Sequence, residues 1–205
     1  EMIQAGEYDI VVAGGMESMT GGPHMLPKAR AGYKYGQGTL IDATEHDGLT
    51  DVYDHESMGA STERFASSIG LSREEMDEVS AASHQRAADA AKNGRFEAEI
   101  TAVQVPQRKG DPISVTEDEG VRGDTTAEGL GKLRPAFAKE GAITAGSSSQ
   151  VSDGASATVV MSAKKAQELG LTPLCEIRNH GWVAGPDNSL LSQPSNAAFK
   201  ALRRA

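Results

Sequence analysis

Ala13-Gly14-Gly15-Met16-Glu17-Ser18-Met19, Lys132-Leu133-Arg134-Pro135-Ala136-Phe137, and Thr144-Ala145-Gly146 leading on to Ser152-Asp153-Gly154-Ala155 are the stretches on which the reading of this chain turns. The first continues Tyr8-Asp9-Ile10-Val11-Val12, a mostly apolar, β-branched run. That pattern predicts a buried strand ending on the glycine pair, where the backbone comes close to another. The last precedes Ala157-Thr158-Val159-Val160-Met161, a second strand, after which Ser162 caps a helix through Leu169 that stops at Gly170. Leu174-Cys175-Glu176-Ile177 opens a further strand, and a final helix begins near Ser195 with Ala198, Phe199 and Leu202 on one face. Strands alternating with helices at both ends place the chain in the α/β class.

Between these ends the grammar changes. Residues 20–54 scatter glycine, proline and histidine without a sustained period and read as a long loop of functional or assembly character. A helix starting at Ser57 to Gly59 runs to about Ser68 and is terminated by Gly70. A second is bounded by a capping box, Ser72 with Glu75 three residues on, and by Gly94 as its stop. Its expected buried stripe is Met76, Val79, Ser83, Ala87 and Ala90. Residues 100–105 alternate and are cut by Pro106, which predicts an edge strand, and residues 111–124 form an acidic, turn-rich excursion.

Composition narrows the classes of function. The 205 residues carry a formal net charge of -9 and 38% hydrophobic residues, enough for a core but a poor match for a phosphate backbone. Nucleic acid is therefore not the expected partner, and an anionic ligand needs locally placed cations. No apolar run reaches the ~18 residues of a membrane span, so no membrane association is expected. One cysteine makes no internal disulfide, which fits a reducing compartment, and the cytoplasm is the expected location. The chain opens on Glu1 with what reads as the last turn of a helix, and Ala205 follows Ala201-Leu202-Arg203-Arg204 without a capping glycine; both features predict a piece of a longer reading frame.

The three quoted strings, with Glu140-Gly141 between the second and third, resemble the thiolase superfamily, in particular its acetyl-CoA C-acetyltransferases of the cytoplasmic bacterial type. The likeness extends in register from Ile10 through Phe199. It implies two similar βαβαβαββ halves, each with a five-stranded sheet, and a loop domain inserted into the first. Here residues 1–20 would end the N-terminal half, residues 21–150 would be the inserted domain that covers coenzyme A and carries a tetramerisation loop, residues 151–170 would supply the last strand and helix of that half, and residues 171–205 would begin the C-terminal half. The fold class expected is thus α/β, a thiolase-like fragment with layered core pieces flanking a loop domain.

The resemblance also implies chemistry. Thiolases exchange acyl groups between thioesters in a Claisen reaction, joining two acetyl-CoA into acetoacetyl-CoA or cleaving 3-ketoacyl-CoA in lipid metabolism. One cysteine accepts the acyl group, while a second cysteine and a histidine handle protons and the enolate. Those groups are expected outside residues 1–205, so no catalytic residue and no metal ligand is assigned, coenzyme A thioester is substrate, and the isolated chain is expected to be inactive. Leu49 and Met58 match positions lining the pantetheine and acyl pocket, and Arg122 matches a basic residue that meets the adenosine diphosphate end. Ala136 and Phe137 match the pocket wall; Ala145 and Ser149 match the segment that bonds the pantetheine amides. Ser57 stands where many biosynthetic members carry histidine, and Gly129 and Leu130 replace bulkier or hydroxyl-bearing residues.

Rival readings are plainer. Cys175, with Glu176 beside it and His180 five residues on, reads as a small core side chain and not a nucleophile, and the five histidines match no metal-ligand spacing. Gly14-Gly15 lacks the lysine and hydroxyl residue of a phosphate loop, and Glu117-Asp118-Glu119 reads as a solvated turn. Two alternative functions stand beside the acyltransferase: a non-catalytic acyl-CoA or lipid carrier with a thiolase-like body, and an oligomerisation module built on residues 21–48.

Overall fold

A computed structural model describes residues 1–204; Ala205, the expected uncapped end, lies outside the described residues. In chain order the elements are β1 (Ile10–Ser18), β2 (His24–Met25), β3 (Ile41–Asp42), α1 (Met58–Ser68), α2 (Arg73–Lys92), β4 (Val103–Val105), β5 (Ile113–Val115), α3 (Ala127–Gly131), β6 (Asp153–Met161), α4 (Ala163–Glu168) and α5 (Gln193–Leu202). They fall into two compact units, Glu1–Met58 with the stretch from Val151 onward, and Gly59–Gln150.

The first unit is organised by β1 and β6, paired antiparallel from Ile10↔Met161 to Ser18↔Asp153. β1 does not stop at Gly14-Gly15 as its composition predicts but runs through them to Ser18. A Cβ on Gly14 would stand 2.5 Å from the Ser156 carbonyl oxygen, so glycine here permits close pairing and does not end the strand. The pair closes at Asp153. One carboxylate oxygen accepts the Thr20 N–H at 3.0 Å, and the other accepts the Thr20 hydroxyl at 2.5 Å and the Ser18 hydroxyl at 3.3 Å. One face of the pair carries apolar side chains open to solvent, Val12 and Met16 being 71% and 80% exposed. Among the described residues no sheet exceeds two strands, so the five-stranded sheet implied by the resemblance is not assembled from them.

Residues 20–54 are less irregular than expected, because β2 and β3 pair within them and a π-helical turn follows at Thr44–Gly48. After β6, Ser162 caps α4 by accepting the Lys165 N–H, as predicted, and the helix ends at Gly170 with φ +65°. The expected strand at residues 174–177 is absent: Leu174 is fully exposed and Cys175 is exposed too, with no neighbouring strand to supply hydrogen bonds. Phe199 and Leu202 on α5 are likewise exposed. The covered side of that helix is the one bearing Ala197, Lys200 and Ala201. Gly181 packs against the Ala197 carbonyl there, and the Lys200 ammonium lies 4.4 Å over the Trp182 ring while donating to the Trp182 carbonyl.

In the second unit the capping box of α2 forms as its sequence predicts. Ser72 Oγ accepts the Glu75 N–H, and the Glu75 carboxylate accepts the Ser72 N–H and hydroxyl, which hold its pKa below the ordinary value. The buried stripe departs from the expected one in part. Val79 and Ser83 face solvent; Met76, Ala87 and Ala90 are half-buried, as are His84 and Ala88, and the deeply covered positions are Asp77 and Ala81. The reason is the partner: α3 and residues 120–125 pack on that side, where small and polar groups accept backbone neighbours. β4 pairs with β5, a short strand within the acidic, turn-rich excursion of residues 111–124.

The bonds from Thr20 and Ser18 depress the Asp153 pKa below its ordinary value, the Thr20 hydroxyl being the largest contributor. A carboxyl group with a depressed native pKa stabilises the fold above its unfolded pKa, about 3.9, and loses that contribution as pH falls through the native value. Asp153→Ala should therefore lower the urea midpoint at pH 7, and the gap from wild type should close below about pH 4. A gap independent of pH between 7 and 3 would show that the carboxylate charge is irrelevant.

Candidate functional site

The predicted pocket residues sit on two short tertiary constructions, one in each unit. In the first unit, Met58 donates its N–H to the Leu49 carbonyl at 2.8 Å, beside an antiparallel bridge between Thr50 and Ser57. Leu49 and Met58 are thus brought together at the neck of a small loop. Asp51 shapes that loop by accepting the Tyr53 and Asp54 N–H groups, and Asp54 accepts the Glu56 N–H. Leu49 also lines a cleft of about 460 Å³ with Glu17, Met19, Pro23, Thr44 and Asp47.

In the second unit, residues 135–144 form a tight hairpin. Pro135 bridges Thr144, and the Ala136 N–H donates to the Ile143 carbonyl at 2.9 Å. This brings Ala136 and Phe137 beside the turn that holds Ala145. Thr144, wholly buried, organises that turn: its hydroxyl accepts the Gly146 N–H, its carbonyl accepts the Ser148 hydroxyl at 2.7 Å, and its N–H donates to Ser147 Oγ. Ala145 and Ser149 point outward from this turn, both exposed.

Two buried acids seat the hairpin. Glu63 on α1 is only 9% exposed, and its two carboxylate oxygens accept the Ala142 and Ile143 N–H groups at 2.7 and 2.9 Å. One turn earlier on the same face, Gly59 receives the edge of the Phe137 ring so closely that any Cβ would overlap it. Asp77, 2% exposed, pairs with Arg73 at 2.7 Å, and the Arg73 guanidinium donates to the carbonyls of Leu130 and Leu133 at 2.6 and 3.1 Å. The charged pair thereby fixes the exit of α3 and the start of Lys132-Leu133-Arg134-Pro135. Leu130, singled out as a departure in the pocket, is buried and packs against Gly146.

Arg122 is held separately from the hairpin. Its N–H donates to His84 Nδ1, in the middle of α2, while its side chain is exposed. Eleven residues separate Arg73 from His84, roughly 16 Å along the helix axis. Of the seven predicted residues, then, Leu49 and Met58 are joined by a hydrogen bond in one unit, Ala136 and Phe137 lie in the other on the strand of the hairpin that pairs with the approach to Ala145, and Arg122 and Ser149 stand on their own segments of that unit. Glu63, Arg73 and Asp77 carry no mark in the sequence, where Gly59 shows only as a helix start and Thr144 only as part of a motif. Their partners lie as many as 80 residues away, and a glutamate in mid-helix carries no signal that it will be buried.

Among the described residues no group of three or more histidine, cysteine, aspartate and glutamate side chains is placed to hold a metal ion. Nor, among them, is any helix long and apolar enough to cross a membrane. Cys175 stands exposed, and His180 lies 3.5 Å from the Glu1 carboxylate.

A family model described as the thiolase N-terminal domain matches residues 1–164. The chain belongs to the thiolase family. It is 57% identical over 204 residues to a probable acetyl-CoA acetyltransferase of Mycolicibacterium smegmatis, covering 100% of this chain and 53% of the relative. A probable acetyl-CoA acetyltransferase of Mycobacterium tuberculosis is 56% identical, with 100% of this chain and 52% of that protein covered. The crystal structure of the Bacillus anthracis acetyl-CoA acetyltransferase superposes with a TM-score of 0.91 at 37% identity, over 98% of this chain and 51% of that one. This thiolase chain spans about half the length of the curated relatives it matches.

Because Phe137 lies on the bare backbone of Gly59, a methyl group at that position must displace the ring. Gly59→Ala should destabilise the chain by about 1–3 kcal/mol, the usual cost of overpacking, measurable by urea denaturation. Pairing it with Phe137→Ala should recover part of the loss, since the overlap then vanishes; independent, additive effects would contradict the contact.

Proposed function

We propose that this chain supplies the coenzyme A-binding part of a thiolase-type acyltransferase, one that condenses two acetyl-CoA to acetoacetyl-CoA or cleaves 3-ketoacyl-CoA through an acyl-cysteine intermediate. The observation that carries the proposal is the hairpin of residues 135–144. It pairs the segment of Ala136 and Phe137 with the one that leads into Ala145, on a backbone that superposes on a solved acetyl-CoA acetyltransferase. On this reading residues 21–150 form the inserted domain over the cofactor end of the substrate, residues 1–20 and 151–170 belong to the N-terminal half, and residues 171–205 open the C-terminal half.

Roles follow from side-chain chemistry. Leu49 and Met58 in the first unit, and Phe137 in the second, each offer apolar surface for the pantetheine arm and acyl group, and such surface keeps water from the thioester. Ala136 and Ala145 leave room beside it. The Ser149 hydroxyl and the backbone near Ala145 bond the pantetheine amides, and the Arg122 guanidinium pairs with phosphate at the adenosine diphosphate end. A local cation matters in a chain of net charge -9, because the general field repels an anionic ligand. The acyl-accepting cysteine, and the histidine and cysteine that move protons, are not among these residues. Cys175 has no such role here. The assembly proposed is a cytoplasmic homotetramer, joined through residues 21–48.

Titration calorimetry with coenzyme A tests the proposal. Binding should weaken about tenfold or more in Arg122→Ala, as expected for a charge-assisted phosphate contact worth 1.5–3 kcal/mol, and in Phe137→Ala. Affinity unchanged in both variants would favour an assembly module instead. Residues 1–205 alone should show no thiolysis of acetoacetyl-CoA; turnover that disappears in Cys175→Ala would overturn the assignment of the nucleophile. A chain that binds acyl-CoA and whose full-length source protein lacks thiolysis activity would be the carrier.

A further inference from the structure

Among the described residues, Glu63 is a buried carboxylate whose two oxygens both serve the backbone of another segment. It is 9% exposed, and it accepts the Ala142 N–H on one oxygen and the Ile143 N–H on the other. Those two donors are the adjacent amides of the returning strand of the hairpin, immediately before buried Thr144 and the Ala145 turn. A carboxylate is suited to this task, since it is acceptor-only and can take two N–H groups at once, and charge-assisted bonds of this kind are shorter and stronger than neutral ones. Gly141 leaves the space the carboxylate occupies; a Cβ there would stand 2.5 Å from one Glu63 oxygen. On the same helical face, Gly59 receives Phe137 from the other strand of the hairpin. One side of α1 therefore grips both strands, one by a carboxylate and the other by contact of a ring with bare backbone.

We propose that Glu63 is a positioning residue for coenzyme A binding: its carboxylate sets the register of residues 135–146 and so presents Phe137, Ala136 and Ala145 to the pantetheine arm without touching the ligand. The proposal rests on the reading of those three residues as the pocket wall. Its physical basis is that binding groups held within a fraction of an ångström need support from locked neighbours, and a hairpin carrying two unpaired N–H groups against a buried wall would shift to find other acceptors.

Glu63→Gln is the informative variant because it preserves shape and removes the symmetry of acceptance. The carboxamide accepts one N–H, while its NH2 group faces the other donor. Coenzyme A titrations with stoichiometry fitted separately, together with amide hydrogen exchange, read the outcome. Exchange at Ala142 and Ile143 should quicken in the variant, and the dissociation constant of the folded molecules should rise tenfold or more. Glu63→Asp, which keeps both acceptor oxygens, should recover part of that loss. A purely structural role would lower the stoichiometry and the thermal midpoint and leave the dissociation constant of the folded fraction unchanged, which overturns the proposal. Should Glu63→Gln fail to fold, Gly141→Ala pushes on the same carboxylate from outside, and wild-type affinity in that variant overturns the proposal equally. Wild-type protein that fails to bind coenzyme A would overturn the pocket reading itself, and the proposal with it; wild-type protein that binds while both variants match it leaves the pocket standing and removes only Glu63.

Discussion

The pairing of β1 with β6 is the constraint on which the chain's organisation depends. It joins residues 10–18 to residues 153–161 in one antiparallel register, so everything between is a single excursion that leaves from Ser18 and returns at Asp153. Closing so long a loop has an entropic cost that grows only slowly with length, which is why an excursion of this size can be tolerated at all. The side-chain period of two makes the register strict, because a slip of one residue would exchange every side chain between faces. Asp153 marks the end of the register by binding Thr20 and Ser18 at once.

A second theme is the use of carboxylates as backbone acceptors. Asp153 holds the turn after β1, Asp51 shapes the loop between Leu49 and Met58, Glu75 closes the N-terminus of α2, and Glu63 receives the hairpin. Asp77 acts through Arg73, whose guanidinium then reaches two carbonyls, so that pair satisfies acceptors and not donors. These local duties account for several of the acids in a chain with 29 aspartate and glutamate residues against 20 lysine and arginine. The acidic composition is thus partly a structural feature: some of its carboxylates hold turns, helix ends and the hairpin in place.

Local signals were the legible ones. Ser72, Glu75, Ser162, Gly70 and Gly170 mark helix ends through bonds and φ values that involve residues within a few positions, and each element formed where those residues place it. Signals that need a distant partner misled. Val79 and Ser83 were expected inside and lie outside, because the face of α2 that becomes buried is chosen by what packs on it, here α3 and residues 120–125. Cys175 and its neighbours have strand-like composition without a neighbouring strand. Gly14 has the residue type of a strand end, yet it lies mid-strand, where a Cβ would stand 2.5 Å from the Ser156 carbonyl oxygen.

The same division holds at the candidate site. Sequence alone determined the family resemblance, the string Lys132-Leu133-Arg134-Pro135-Ala136-Phe137, and the choice of the seven residues proposed to face a ligand, because these are properties of residue order. Tertiary structure alone decided which of them meet, which stand apart, and what holds them: Glu63 beneath the hairpin, Gly59 beneath Phe137, and Arg73 with Asp77 beneath its approach. The physical reason is burial. A carboxylate becomes a clamp only when water is excluded and specific N–H groups converge on it, and that environment is made by residues nearly 80 positions away.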